Sequence, residues 1–126
     1  MKDVMNAGGT IAHKSGPITG GAFVITSIPS VKDKAVGLGV FPKEVEFTFS
    51  GGSAPGCVPG TVVSVAPTKI PATAIKGKTE GSPPVRVGDF VTMNAQGTNP
   101  TPPPATVAVS GPVEVSDAGQ TKVKAN

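Results

Sequence analysis

The chain has no tryptophan, no tyrosine, and one each of cysteine, histidine and arginine. A lone Cys57 excludes an internal disulfide. Only 4% of residues are aromatic, so the stacking platforms that hold single-stranded nucleic acid are missing. Charged residues make up 15% of the chain, and the net charge of +3 rests on lysines scattered singly, which is not the basic stripe of a nucleic-acid binder. No run approaches the ~18 apolar residues of a helical membrane span. Lys2, Asp3 and Asn6 interrupt the residues after Met1 at once, so no apolar h-region follows. The reading therefore expects synthesis in the cytoplasm without a signal peptide.

What is abundant is glycine (17) and proline (14), in a chain of 126 residues whose apolar share is rich in valine and isoleucine. Glycine and proline at this density leave little room for helix, and β-branched residues suit pleated, half-buried strands. The expectation is a single all-β domain over 1–126, a compact cone of short hairpins with essentially no helix. Residues 22–27 form a β-branched strand. Residues 36–41 alternate apolar residues with glycine, as a strand pressed against another backbone would. Glu44 to Phe49 alternates strictly, with Val45, Phe47 and Phe49 on one face. Further strands are expected at 61–65, 72–75, 106–109, 113–115 and 121–123. Residues 1–9 read as a polar lead-in, 76–82 as a polar turn, and 94–104 as a loop.

The stretch from Gly81 to Asn94 carries the sole arginine. Pro83 and Pro84 hold the backbone extended, and Gly88-Asp89 signals a turn between two β-prone pieces. An arginine there can fork onto carboxylate or carbonyl groups and tie loops together, so Arg86, Gly88 and Asp89 are read as a structural corner. A faint repeat accompanies it. Val24 to Asp33 and Val107 to Asp117 each run as a β segment, Ser-x-Pro, a short strand and a polar turn. One account is chance recurrence of valine, serine and proline in such a composition. The alternative divides the domain into two hairpin modules, near 8–40 and 81–126, around an inserted β region at 41–80.

The corner and the repeat together resemble the PAAR-like proteins, small cones that sit on the spikes of contractile injection systems and contractile phage tails. In that family a module runs Ser-Pro-x-Val, a polar turn with glycine, then Pro-Ala-Ala-Arg and a following Gly-Asp. Pro84-Val85-Arg86-Val87-Gly88-Asp89 keeps the proline, arginine, glycine and aspartate but not the Ala-Ala pair. Gly8 to His13 followed by Gly16-Pro17-Ile18 is similar to the family's opening turn with its histidine. The resemblance implies a tip that caps a trimeric β-helical spike protein (VgrG-like or its phage-tail counterpart) through a broad base. Effector cargo and a transient target membrane are the further partners it implies, with no nucleic acid. It also implies assembly into a virion or injection particle delivered to a target cell surface.

The family's tip is commonly tightened by a metal ion near the apex, and the resemblance points to zinc or iron held by His13 and Cys57, with Asp89 as a third ligand. A tetrahedral structural zinc site wants four ligands, which one histidine and one cysteine do not complete. The competing reading makes His13 a loop residue and Cys57 a small hydrophobe. A threefold assembly would bring three copies of His13 to one axis.

No constellation for catalysis emerges. Cys57 lies in a Gly/Pro-rich loop without a neighbouring base. Glu44 and Glu46 share the strand face opposite Val45 and Phe47, a face the alternation assigns to solvent. Gly37-Leu38-Gly39 precedes no helix whose amino end would hold phosphate. The sequence is read as a non-enzymatic spike tip of a phage tail, type VI secretion-like or extracellular contractile apparatus. The alternative is an immunoglobulin-like β-sandwich, serving as a binding or virion decoration module.

Overall fold

The computed structural model describes residues 2–74, 82–101 and 103–125, and among them there is no helix. The elements are β1 (Lys2–Asp3), β2 (Thr10–His13), β3 (Thr19–Ile25), β4 (Lys34–Ala35), β5 (Leu38–Gly39), β6 (Glu44–Ser53), β7 (Val63–Ser64), β8 (Thr68–Pro71), β9 (Phe90–Asn99), β10 (Ala105–Asp117) and β11 (Lys124–Ala125). All pairings are antiparallel. One sheet runs β2-β10-β9-β7 and a second β3-β6-β8, with a Gly52–Val62 bridge joining them into a curled half-barrel. Two small ribbons, β1-β11 and β4-β5, complete the fold.

The strongest sequence signal holds. Val45, Phe47 and Phe49 of β6 are all buried, and they centre a core with Ile18, Val62, Ile70, Met93, Val113 and Val115. Burying side chains of this size supplies roughly 1.5–3 kcal/mol each, which lets a domain poor in aromatics fold. A smaller cluster of Val4, Ala35, Val40, Ala74 and Ala125 sits apart from it. Within residues 8–40, β4 and β5 pair with each other, whereas β2 pairs with β10 and β3 with β6, both outside that range. Pro71 ends β8, which lies at the edge of its sheet, where a proline costs no ladder bond.

Several local expectations are corrected. Residues 36–41 are not one strand: Val36 and Gly37 form the two-residue turn between β4 and β5, with φ of 52° and 82°. The close approach expected of the glycines is made by Gly39 alone, where an added Cβ would lie 2.2 Å from the Ser30 carbonyl oxygen. Residues 94–104 are not all loop, because β9 continues to Asn99 with Met93, Ala95 and Gly97 turned inward. The segments at 106–109 and 113–115 are one strand. Pro112 does not break it: its carbonyl accepts the Lys14 N–H at 3.0 Å, so its nitrogen faces the same edge, just past the end of β2. Residues 72–74 are not in a strand; the rest of that expected strand, and all of the turn expected at 76–82 except Ser82, lie outside the described residues. The final strand falls at Lys124–Ala125, not 121–123. The lead-in is also misread: Val4, Met5 and Asn6 are buried.

Val36 gives a first prediction. A β-branched residue in the left-handed region is strained, and here its side chain is 54% exposed, so packing does not compensate. Val36→Asn places the favoured Asn-Gly pair in this hairpin turn. Stabilisation of about 1 kcal/mol is expected by urea unfolding, with an unchanged m-value.

Candidate functional site

The residues that carry the resemblance form a buried cross-brace. Arg86 leaves the isolated bridge with Val4, and the turn over Val87 and Gly88 is closed by Asp89 N–H donating to Arg86 O at 3.2 Å. Gly88 supplies the φ of 88° that this turn needs. The Asp89 carboxylate then folds back, accepting Arg86 N–H at 2.8 Å through Oδ2 and the Thr73 hydroxyl at 2.5 Å through Oδ1. The Arg86 guanidinium spreads over two further segments. Its NH1 donates to Ala125 O at 3.1 Å and its NH2 to Thr73 Oγ1 at 2.9 Å. NH2 also stands 4.0 Å from Asp89 Oδ1, with the two side chains 12% and 1% exposed. Nε alone has no partner among the described residues.

Main-chain bonds extend the brace. Val87 N donates to Asp3 O at 2.8 Å, Gly88 N to Val115 O at 2.9 Å, and Val115 N to Asp89 O at 2.9 Å. The corner thus joins the first strand, residue 73, β10 and the last strand. Two polar hubs that sequence reasoning missed support the same end. Asn6, fully buried, donates from Nδ2 to Ala35 O at 3.0 Å and accepts Gly8 N–H at 2.8 Å. Gln120 donates to Val4 O at 2.6 Å and Val123 O at 2.8 Å, while its Oε1 accepts the N–H groups of Lys122 and Val123 at 2.7 Å each. Lys124 pairs with Asp3 across β1 and β11. A single buried asparagine or glutamine has no periodicity, so neither hub could be found from local pattern. Both sit beside a turn glycine, Gly8 or Gly119, and that is the only signal available.

His13 and Cys57 are placed in different settings. The His13 ring packs edge-on against Phe23 and Phe49, each with centroids 5.1 Å away, and its Nε2 lies 2.8 Å from Gly20 O. Cys57 is half-buried against β9, so close to Gly97 that an added Cβ there would lie 2.6 Å from its sulfur. Asp89 has its oxygens engaged in the corner. Among the described residues no three histidine, cysteine or acidic side chains gather to hold a metal ion. Glu44 and Glu46 both face Lys69, each 3.9 Å from its Nζ, across the β6–β8 register.

Two surface features remain. A shallow groove of about 340 Å³ runs between β8 and β9, lined chiefly by Val65, Pro67, Lys69, Val91 and Asn94. Among the described residues its one titratable lining group is that same Lys69. On the segment from residue 28 to residue 38, Ile28 and Val31 are 85% and 78% exposed, with Val36 and Leu38 also open. The Ser30 N–H bond to Val40 O at 2.8 Å and the Ala7 N–H bond to Gly39 O at 2.9 Å fasten this apolar loop to the braced end.

No family model matches the chain, and no curated protein or solved structure matches it.

Proposed function

We propose that this protein is a PAAR-like spike tip, a structural and non-enzymatic cap on the end of a trimeric β-helical spike in a contractile injection apparatus. The observation that carries the reading is the Arg86–Asp89 brace. The motif that resembles the family is, in this fold, a buried polar node tying four separate chain segments. A part that transmits thrust benefits from such cross-linking, because a packed, multiply bonded node resists shear where isolated hairpins would slide. The apolar loop of Ile28, Val31, Val36 and Leu38 is bonded through Gly39 to Ala7, on the segment whose Val4 bridges Arg86. Open apolar surface of this kind suits burial on a partner. On this reading the braced end is the base and the loop is part of its contact with the spike.

Co-expression with the spike protein encoded nearby tests the proposal. The chain is expected to co-elute with an elongated trimer, and Ile28→Asp with Val31→Asp is expected to release it while the monomer stays folded. A folded chain that ignores the spike supports the alternative, a β-sandwich-like binding or decoration module.

A further inference from the structure

Charge is segregated along this molecule in a way its composition conceals. Residues 15–31, 47–68 and 91–113 contain no lysine, arginine, aspartate, glutamate or histidine. Most of these residues are gathered at one end by pairing. Thr19 lies opposite Ser53, Gly52 bridges Val62, Val63 pairs with Gln96, and Ala105 pairs with Asn99. The boundary is a girdle. Lys14 caps the Phe90 ring at 3.9 Å, Phe90 pairs with Glu114, and Glu46 pairs with Lys69, which lines the same groove as Val91. Beyond the girdle the surface is serine, threonine, asparagine, glutamine, glycine and small apolar side chains. The corner, both polar hubs and the remaining described charges lie on the other side.

The uncharged arm has a telling length. From Phe90 to Asn99, nine steps at about 3.3 Å make about 30 Å, the thickness of a bilayer's hydrocarbon core. Charged groups dominate the cost of entering hydrocarbon. Among the described residues this end presents no lysine, arginine or carboxylate, and the ionisable His13 ring stands at its margin, packed on Phe23 and Phe49. It is nevertheless unsuited to residence there. Among the described residues β10 has no strand partner over 105–112 on the edge away from β9, and β7 covers two residues of β9. Open backbone groups are not tolerated against lipid at equilibrium, so the surface fits a transient, driven passage.

We propose that this neutral end is the leading face of the protein and that its partner is the phospholipid bilayer, crossed with the braced, charged end trailing. The inference rests on the spike-tip reading and adds the direction in which the tip points. It is tested with the full chain coupled to a force-microscope cantilever through Lys122→Cys in a Cys57→Ser background, then pressed on a phosphatidylcholine bilayer. Ser50→Lys with Ala108→Lys adds two charges to the neutral end at exposed positions. Ala7→Lys with Thr121→Lys adds two exposed charges at the other end.

At a fixed force the first pair is expected to lower the breakthrough rate on the order of a hundredfold per charge that reaches the bilayer centre. The second pair and the uncharged Ser50→Gln, Ala108→Gln control should stay within about twofold of the parent, as changes outside the crossing surface should. Equal rates for both lysine pairs, or equal slowing by lysine and glutamine at the neutral end, overturn the inference. Thermal unfolding checks that each variant is folded, and Thr106→Lys serves if the double variant is not. Co-elution with the spike is read separately: binding retained with no charge effect on breakthrough removes the orientation and leaves the spike-tip reading intact.

Discussion

Asp89→Ala is expected to destabilise the protein by about 3–5 kcal/mol, more than Arg86→Met at its neighbour in the corner. The asymmetry follows from who bonds to whom. Asp89 accepts directly from the Arg86 main chain and from Thr73, whereas the guanidinium stands 4.0 Å from its nearer oxygen. Removing the carboxylate leaves a buried N–H and a hydroxyl without their acceptor, and a nearly buried cation without its counter-charge. Arg86→Met instead removes the charge and its unpartnered Nε together, keeps the apolar stem, and leaves Asp89 with both of its hydrogen bonds. A loss of about 2 kcal/mol is expected there, chiefly from the bonds to Ala125 and Thr73. Urea unfolding of both single variants and the double gives the ranking and the coupling. A larger loss for Arg86→Met than for Asp89→Ala would show that the guanidinium, not the carboxylate, is the centre of the node.

Phe47→Ala carries the other large effect. Phe47 is fully buried in β6 between two paired strands, with Ile25 opposite it on one side and Thr68 on the other. Its ring meets Phe23 edge-on at 5.5 Å. Truncation removes most of a large side chain from a core with little aromatic bulk to spare, so about 3–5 kcal/mol is expected. Phe90→Ala is the internal comparison. Phe90 is 54% exposed and its main contact is Lys14. That cation–π pair is worth about 0.5–1 kcal/mol at an exposed site, and the substitution should cost no more. Similar losses at both positions would contradict the placement of the core on the Phe47 side of β6.

The residues explain which parts of this fold could be read in advance. Period-two alternation is a local signal, and β6 carries it without interruption, so its inward face was legible residue by residue. The same alternation runs through Met93, Ala95 and Gly97 of β9, but small residues and intervening asparagine and glutamine weaken it below recognition. Proline misled at Pro112, because a missing N–H matters only where a partner strand continues, and which edge it faces is a tertiary fact. Val36 misled because the two-residue hairpin between β4 and β5 imposes a left-handed turn that its side chain opposes.

The corner was legible in outline, since a Gly-Asp turn beside a lone arginine has few uses. Its partners were not, because Thr73, Ala125 and Val115 come from distant parts of the chain. The charge girdle was hidden for the same reason: three uncharged stretches become one surface only when β3, β6, β9 and β10 are placed side by side.

The central claim is that this chain caps a trimeric spike, and the stoichiometry of the purified complex tests it most directly. Native mass measurement after co-expression should give one copy of this chain per three copies of the spike protein, with no free trimer regained until the Ile28 and Val31 contacts are removed. Three copies per trimer, or no complex with a folded chain and a folded trimer both present, would contradict a single tip on a threefold axis.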